Sequence, residues 1–177
     1  MSYTPAYTAT FAKPLLNQLI AIIQRDQAPA IALVNPSLNP INEFHKGSAT
    51  RTAFPWLTLA ADSSWFDPET VGTRASTTRV SLTLDVGQFD QEWAQDNAQD
   101  YARVLDMIVT TASSADFETP LPVVHETVPS GTTTPPAAGS VKRVFVESHR
   151  YGPVTLDEVQ IPVLRVSLTL LFGLEES

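Results

Sequence analysis

From Arg79 to Val86 apolar and polar residues alternate strictly, with Val80, Leu82, Leu84 and Val86 on one side and Ser81, Thr83 and Asp85 on the other. A period of two predicts a strand with one apolar and one polar face. Four residues later the period lengthens. Ala94, Ala98, Tyr101, Leu105, Ile108 and Ala112 recur at steps of four, three, four, three and four. That spacing predicts a helix over Asp90–Ala112 with a single apolar stripe. Asp90 suits its N-cap, and Glu92 adds favourable charge in the first turn. Gln95, Asp96, Gln99, Asp100, Arg103 and Asp106 give it an acidic outer face, which on most proteins is plain solvated surface. A half-buried strand feeding an amphipathic helix needs a shared core, and the other elements are read as completing it.

Upstream, Met1–Thr10 reads as an extended arm, with Tyr3 and Tyr7 as possible anchors on a neighbour. Phe11, Leu15, Leu19 and Ile22 predict a first helix over Lys13–Gln24, with Pro14 in its first turn and an end before Pro29. Ala30–Val34 is a short apolar run between prolines and reads as a buried strand. Asn35–Thr52 reads as a loop whose Glu43, His45, Lys46 and Arg51 suit a contact surface. Phe54–Ala61 is a further strand, with Pro55 at its start and Trp56 and Thr58 on the face opposite Leu57 and Leu59. Asp62–Thr78 is expected to be a long connection presenting Trp65 and Phe66, either folded back on the core or waiting for a partner.

Beyond the second helix, Phe117–Ser140 holds five prolines and a threonine run, so it reads as a long loop with at most a brief edge strand at Val123-Val124. Val141–Arg150 returns to strand character until Tyr151-Gly152-Pro153 breaks it, and Ile161–Phe172 is the closing strand. The predicted order is α-β-β-β-α-β-β. It describes one α+β domain over residues 1–177: a mostly antiparallel sheet of about five strands with two helices on one face.

Composition narrows the chemistry. A chain of 177 residues, 43% hydrophobic, can bury a sizeable core without staples. With no cysteine it has no disulfide, thiolate metal site or cysteine nucleophile. A formal charge of −8 argues against a surface made to grip nucleic acid, while leaving room for an acidic wall past which DNA slides. No run reaches the roughly 18 apolar residues of a membrane span, and Met1–Thr10 lacks the pattern of a signal peptide. Phosphate loops and the G-x-S-x-G elbow are absent, and His45, His125 and His149 lie at no metal-binding spacing. No catalytic, metal or cofactor residue is therefore expected. Lys142, Arg143 and Phe145 resemble a fragment of a nucleic-acid platform, but with this acidity Arg143 and its fellow arginines fit ion pairs better. The candidate contact residues are Tyr3, Tyr7, Trp56, Trp65, Phe66, Arg143 and Phe145.

The ordered pattern resembles the tail terminator proteins of long-tailed bacteriophages. The likeness runs from the helix Pro14–Gln24 through Phe54-Pro55-Trp56-Leu57-Thr58-Leu59 and Thr77–Val86. It continues through the helix Asp90–Ala112 with Tyr101-Ala102-Arg103-Val104-Leu105, then Val144–Pro153 and Ile161–Phe172. The long segments Asn35–Thr52 and Phe117–Ser140 depart from a minimal member. The resemblance implies a structural virion protein without catalytic residues or cofactors, located in the tail or neck and assembled in the host cytoplasm. It implies a ring, typically of six subunits, that caps the tail-tube protein and joins it to a neck or connector protein. Genome DNA would pass through that ring unbound. Another neck protein or a tail-tube subunit is the alternative. A small hydrolase, or a monomeric binding module with its ligand against Trp56 or Trp65, is further off.

Overall fold

The computed structural model describes residues 9–10, 12–46, 53–67, 74–87, 91–112, 121–122, 124–125, 138–156 and 161–176. In chain order these form β1 (Ala9–Thr10), α1 (Ala12–Val34), β2 (Glu43–Lys46), β3 (Trp56–Asp67), β4 (Arg74–Gly87) and α2 (Gln91–Ala112). β5 (Leu121–Pro122), β6 (Val124–His125), β7 (Ala138–Leu156) and β8 (Ile161–Glu176) complete the chain. One mixed sheet has the order β2-β3-β4-β8-β7-β5; β1 and β6 pair separately. Among the described residues only β2 runs parallel to its neighbour, and β5 contributes two residues, so five described strands carry a mostly antiparallel sheet. This is the α+β architecture expected from the sequence.

The alternation of β4 recurs across the sheet and sets its two faces. Leu57 and Leu59 of β3, Val80, Leu82, Leu84 and Val86 of β4, and Leu164, Val166, Leu168, Leu170 and Phe172 of β8 are all buried. They form one core with Leu15, Leu19, Ile22 and Ile23 of α1 and Ala98, Tyr101, Leu105 and Ile108 of α2. Both helices thus lie on one face, and each fully buried leucine, isoleucine or phenylalanine there contributes about 1.5–3 kcal/mol.

The segment between α1 and β2 is fixed by polar contacts to both helices. The Asn35 amide N–H closes α1 on the Ile31 carbonyl at 2.9 Å. The Asn35 side chain receives the Ser37 N–H at 3.0 Å and donates to Asp100 on α2 at 2.7 Å. Gln27 brackets Ile41, accepting its N–H at 2.8 Å and donating to its carbonyl at 3.3 Å. Tyr101 donates its hydroxyl to the Asn39 carbonyl at 2.6 Å, and burial pushes the phenol up to about 12. These contacts deliver the chain to β2.

Several expected elements differ. Ala30–Val34 is not a strand: α1 runs on to Val34 with Pro29 inside it. Ala28, Ala30 and Ala32 favour helix, and Ile31 is buried eight residues after Ile23, in phase with the stripe. The segment read as a loop over Asn35–Thr52 contains β2, so the expected order α-β-β-β-α-β-β holds for the elements longer than two residues, with its first strand at Glu43–Lys46 instead of Ala30–Val34. The Asp62–Thr78 connection is mostly ladder, because β3 continues to Asp67 and β4 starts at Arg74. A register shift between Ala61 and Ser63 changes the phase there, which hides the strand from a test for alternation. Tyr151-Gly152-Pro153 does not break β7. These residues stay in register with Val166, Arg165 and Leu164, and an edge strand tolerates a proline whose nitrogen faces away from the ladder. The expected N-cap Asp90, most of the arm Met1–Thr10 and most of Phe117–Ser140 lie outside the described residues.

Candidate interaction surface

The face of the sheet opposite the helices carries the polar half of each alternating strand. Register aligns it in rows. Trp56, Asp85 and Arg165 form the first, Thr58, Thr83, Ser167 and Arg150 the second, and Ala60, Ser81, Thr169 and Ser148 the third; Arg79, Leu171 and Phe145 follow.

The first row is the only one that is closed off among the described residues. Asp85 is fully buried and accepts three hydrogen bonds: Arg165 Nε at 2.7 Å, Arg165 Nη2 at 2.9 Å and Trp56 Nε1 at 2.9 Å. The Arg165 side chain is 30% exposed, so one end of the pair still meets water. Its hydrogen bonds to Asp85 outweigh the cost of burial and raise the guanidinium pKa further above its usual value, keeping it charged. Phe54, which enters Pro55 through a cis peptide bond, stacks on Trp56 at 4.1 Å between ring centroids and 20° between planes. Phe54 also lies against Gly87, where a Cβ would stand 3.1 Å from its ring. Val163 completes this small second core on the helix-free face.

The remaining rows are half-exposed. Arg79 Nη2 pairs with Glu147 at 2.9 Å with both side chains well exposed, a pair worth about 0–1 kcal/mol. Asp62 accepts from the Ser81 hydroxyl. Phe145 is 53% exposed in the row of Arg79 and Leu171. Tyr151 is equally exposed on the edge strand, and Leu33 is 79% exposed near the end of α1.

The sequence-derived candidates therefore separate. Phe145 is exposed as a contact residue would be. Trp56 is buried within the chain, held by Asp85 and Phe54, and offers no ring to a ligand. Trp65 and Phe66 stand within β3 opposite Thr77 and Ser76 rather than in a connection, and Arg143 stands in β7 opposite Gly173. Tyr3 and Tyr7 lie outside the described residues. An ion pair for Arg165 was expected from the sequence, but its buried partner Asp85 was not, and neither was exposed Tyr151. A charge at a polar position of each alternating strand, near opposite ends of an antiparallel pair, was the available signal for the first. Nothing signalled the second, since the break expected at Gly152-Pro153 concealed it.

Chemistry is sparse on this surface. Among the described residues no three His, Cys, Asp or Glu side chains converge as a metal site would require. His45 Nε2 lies 3.0 Å from Glu43, whose other oxygen accepts the Ala53 N–H at 2.9 Å. No described helix is long and apolar enough to cross a membrane.

No family model matches the chain. No curated protein is similar to it in sequence. A solved structure whose name carries no function matches 86% of this chain and 94% of its own length, at 13% identity and a TM-score of 0.33. A likeness that low supports no argument about fold or activity.

Proposed function

We propose that this chain is a structural protein of the phage tail-terminator kind: subunits assemble into a ring, the ring caps the tail tube, and its other side meets the neck. The observation that carries this reading is the layered build. Helices cover one sheet face, the other face is polar and mostly half-exposed, and both sheet edges are unpaired over most of their length among the described residues. Such a subunit presents different lateral surfaces, as a head-to-tail ring requires. Six subunits, a tube-facing and a neck-facing side, and an acidic lumen for DNA follow from the family resemblance, with the charge of −8 compatible with the last. The work is done by shape-matched contact, without catalysis, metal or cofactor. A tail-tube subunit or another neck protein is the alternative that the same layers allow.

Native mass spectrometry and negative-stain images of the full chain separate these readings. Closed rings of one stoichiometry are expected. Long tubes would select the tube subunit, and a strict monomer at tens of micromolar, alone and with tail tubes added, would overturn the ring.

A further inference from the structure

We propose that the outer edge of β7 around His149–Pro153 receives β2 of a second copy of this chain, so that the sheet continues from one subunit into the next; this rests on the ring reading above. Among the described residues β2 pairs only with β3, and β7 beyond Gly139 pairs only with β8. Both are therefore edges with backbone groups to satisfy.

Pro153 tells which groups of β7 point outward. It has no N–H yet holds register with Leu164, the arrangement of a residue whose nitrogen faces away from β8. Alternation along an antiparallel strand then turns the N–H and C=O of Tyr151 and His149 outward too. This outward run is short, and β2 has four residues. Pairing β7 with another β7 would instead set its proline and its basic residues against themselves.

The side chains match on both faces. Phe44 packs against the core and Lys46 donates to Asn17 of α1, so these two lie on the helix side of β2 and Glu43 and His45 on the other. On β7, His149 and Tyr151 stand opposite Leu168 and Val166 on the helix side, and exposed Arg150 opposite Ser167 on the helix-free side. Continuing the sheet with all helices on one side puts Glu43 and His45 beside Arg150. It puts Phe44 and Lys46 beside half-exposed Tyr151. Opposite charges on one face and two aromatics on the other are pairs that stabilise adjacent strands. Joining two different edges is a heterologous contact, which generates a ring when the rotation closes.

The absence of cysteine makes the test direct. Positions 43 and 150 sit on strands four steps apart in the sheet, about 19 Å at the usual strand spacing, too far for a disulfide within one chain. Arg150→Cys is combined with Glu43→Cys and, separately, with His45→Cys in the full chain and oxidised. Non-reducing electrophoresis should show a ladder of covalent oligomers for at least one pair and nothing beyond dimers for each single variant, with circular dichroism unchanged. A second arm is Arg150→Glu, expected to shift the oligomer towards monomer at least tenfold, and Glu43→Arg combined with it, expected to restore association. If the wild type assembles but neither pair forms a ladder and Arg150→Glu leaves assembly intact, the edge contact is wrong while the ring stands. If the wild type neither assembles nor its variants cross-link, both are overturned.

Discussion

Removing Arg165 should destabilise the protein more than removing Asp85. The two residues share a pair of hydrogen bonds, but they are not equally placed: the Asp85 side chain is 1% exposed and that of Arg165 30%. In Arg165→Met the carboxylate stays in a dry site, with Trp56 still donating to it but its charge partner gone. Breaking a buried pair this way typically costs about 3–5 kcal/mol. In Asp85→Leu the stranded guanidinium is already partly in water and can swing outward, so the cost falls to about 1–3 kcal/mol, including the lost partner of the Trp56 N–H. The double variant Asp85→Leu/Arg165→Met removes both charges and should recover at least half of the larger single loss, because an apolar replacement avoids desolvation altogether. Urea unfolding of all four proteins, followed by far-ultraviolet circular dichroism, measures the cycle. Equal single losses, an Asp85 loss larger than that for Arg165, or simple additivity in the double variant would falsify the assignment of the pair as a desolvated unit.

Gly87→Ala places a methyl 3.1–3.3 Å from three Phe54 carbons while that ring is already stacked on Trp56; a loss of about 1–2 kcal/mol is expected, read as a lower urea midpoint. Pro29→Ala should raise stability by about 1 kcal/mol, because alanine restores a helical N–H and removes the ring clash inside α1; a destabilised variant in the same assay would mean that the proline is needed where it is. Tyr101 should make stability fall at alkaline pH. Its phenol ionises near 10 when unfolded but only near 12 when folded, so the unfolded chain gives up its proton first, and the decline spans pH 10 to 12. Tyr101→Phe should lose the Asn39 hydrogen bond, costing about 1 kcal/mol at neutral pH, yet show a shallower alkaline decline.

Strict alternation carried the sheet. β4 from Arg79 onward and β8 read correctly because each buries an apolar face in the core and carries mostly polar residues on the other, and a side chain's face is then a matter of odd or even position. The failures came where that condition lapses. Ala30–Val34 is apolar without alternation, and such a run looks the same in a strand and in the last turns of a helix; the alanines and the phase with Ile23 were the only clues. Beyond Ala61 a register shift interrupts the pairing of β3 with β4, and an extra residue of that kind breaks the period of two on which the test for a strand relies. Proline misled twice, once inside α1 and once in β7, because local rules penalise it without knowing whether the missing N–H would have had a partner.

The surface was harder to read because it depends on which strands are neighbours. Trp56 and Asp85 are 29 positions apart and Asp85 and Arg165 are 80 apart. Alternation places all three on the polar face, but only the order β3-β4-β8 and its register set them in one row, where they satisfy one another and close off water. A tryptophan on a polar face therefore looked available for contact when it serves as a lid on a buried carboxylate. The edge of β7 reverses the case: Tyr151 sits among turn-forming residues, and only its pairing with Val166 turns a suspected break into an exposed strand. Where a sheet ends is decided by every strand order that the chain does not adopt. That is why edge residues, the ones free to bind another chain, are the last to be legible one residue at a time.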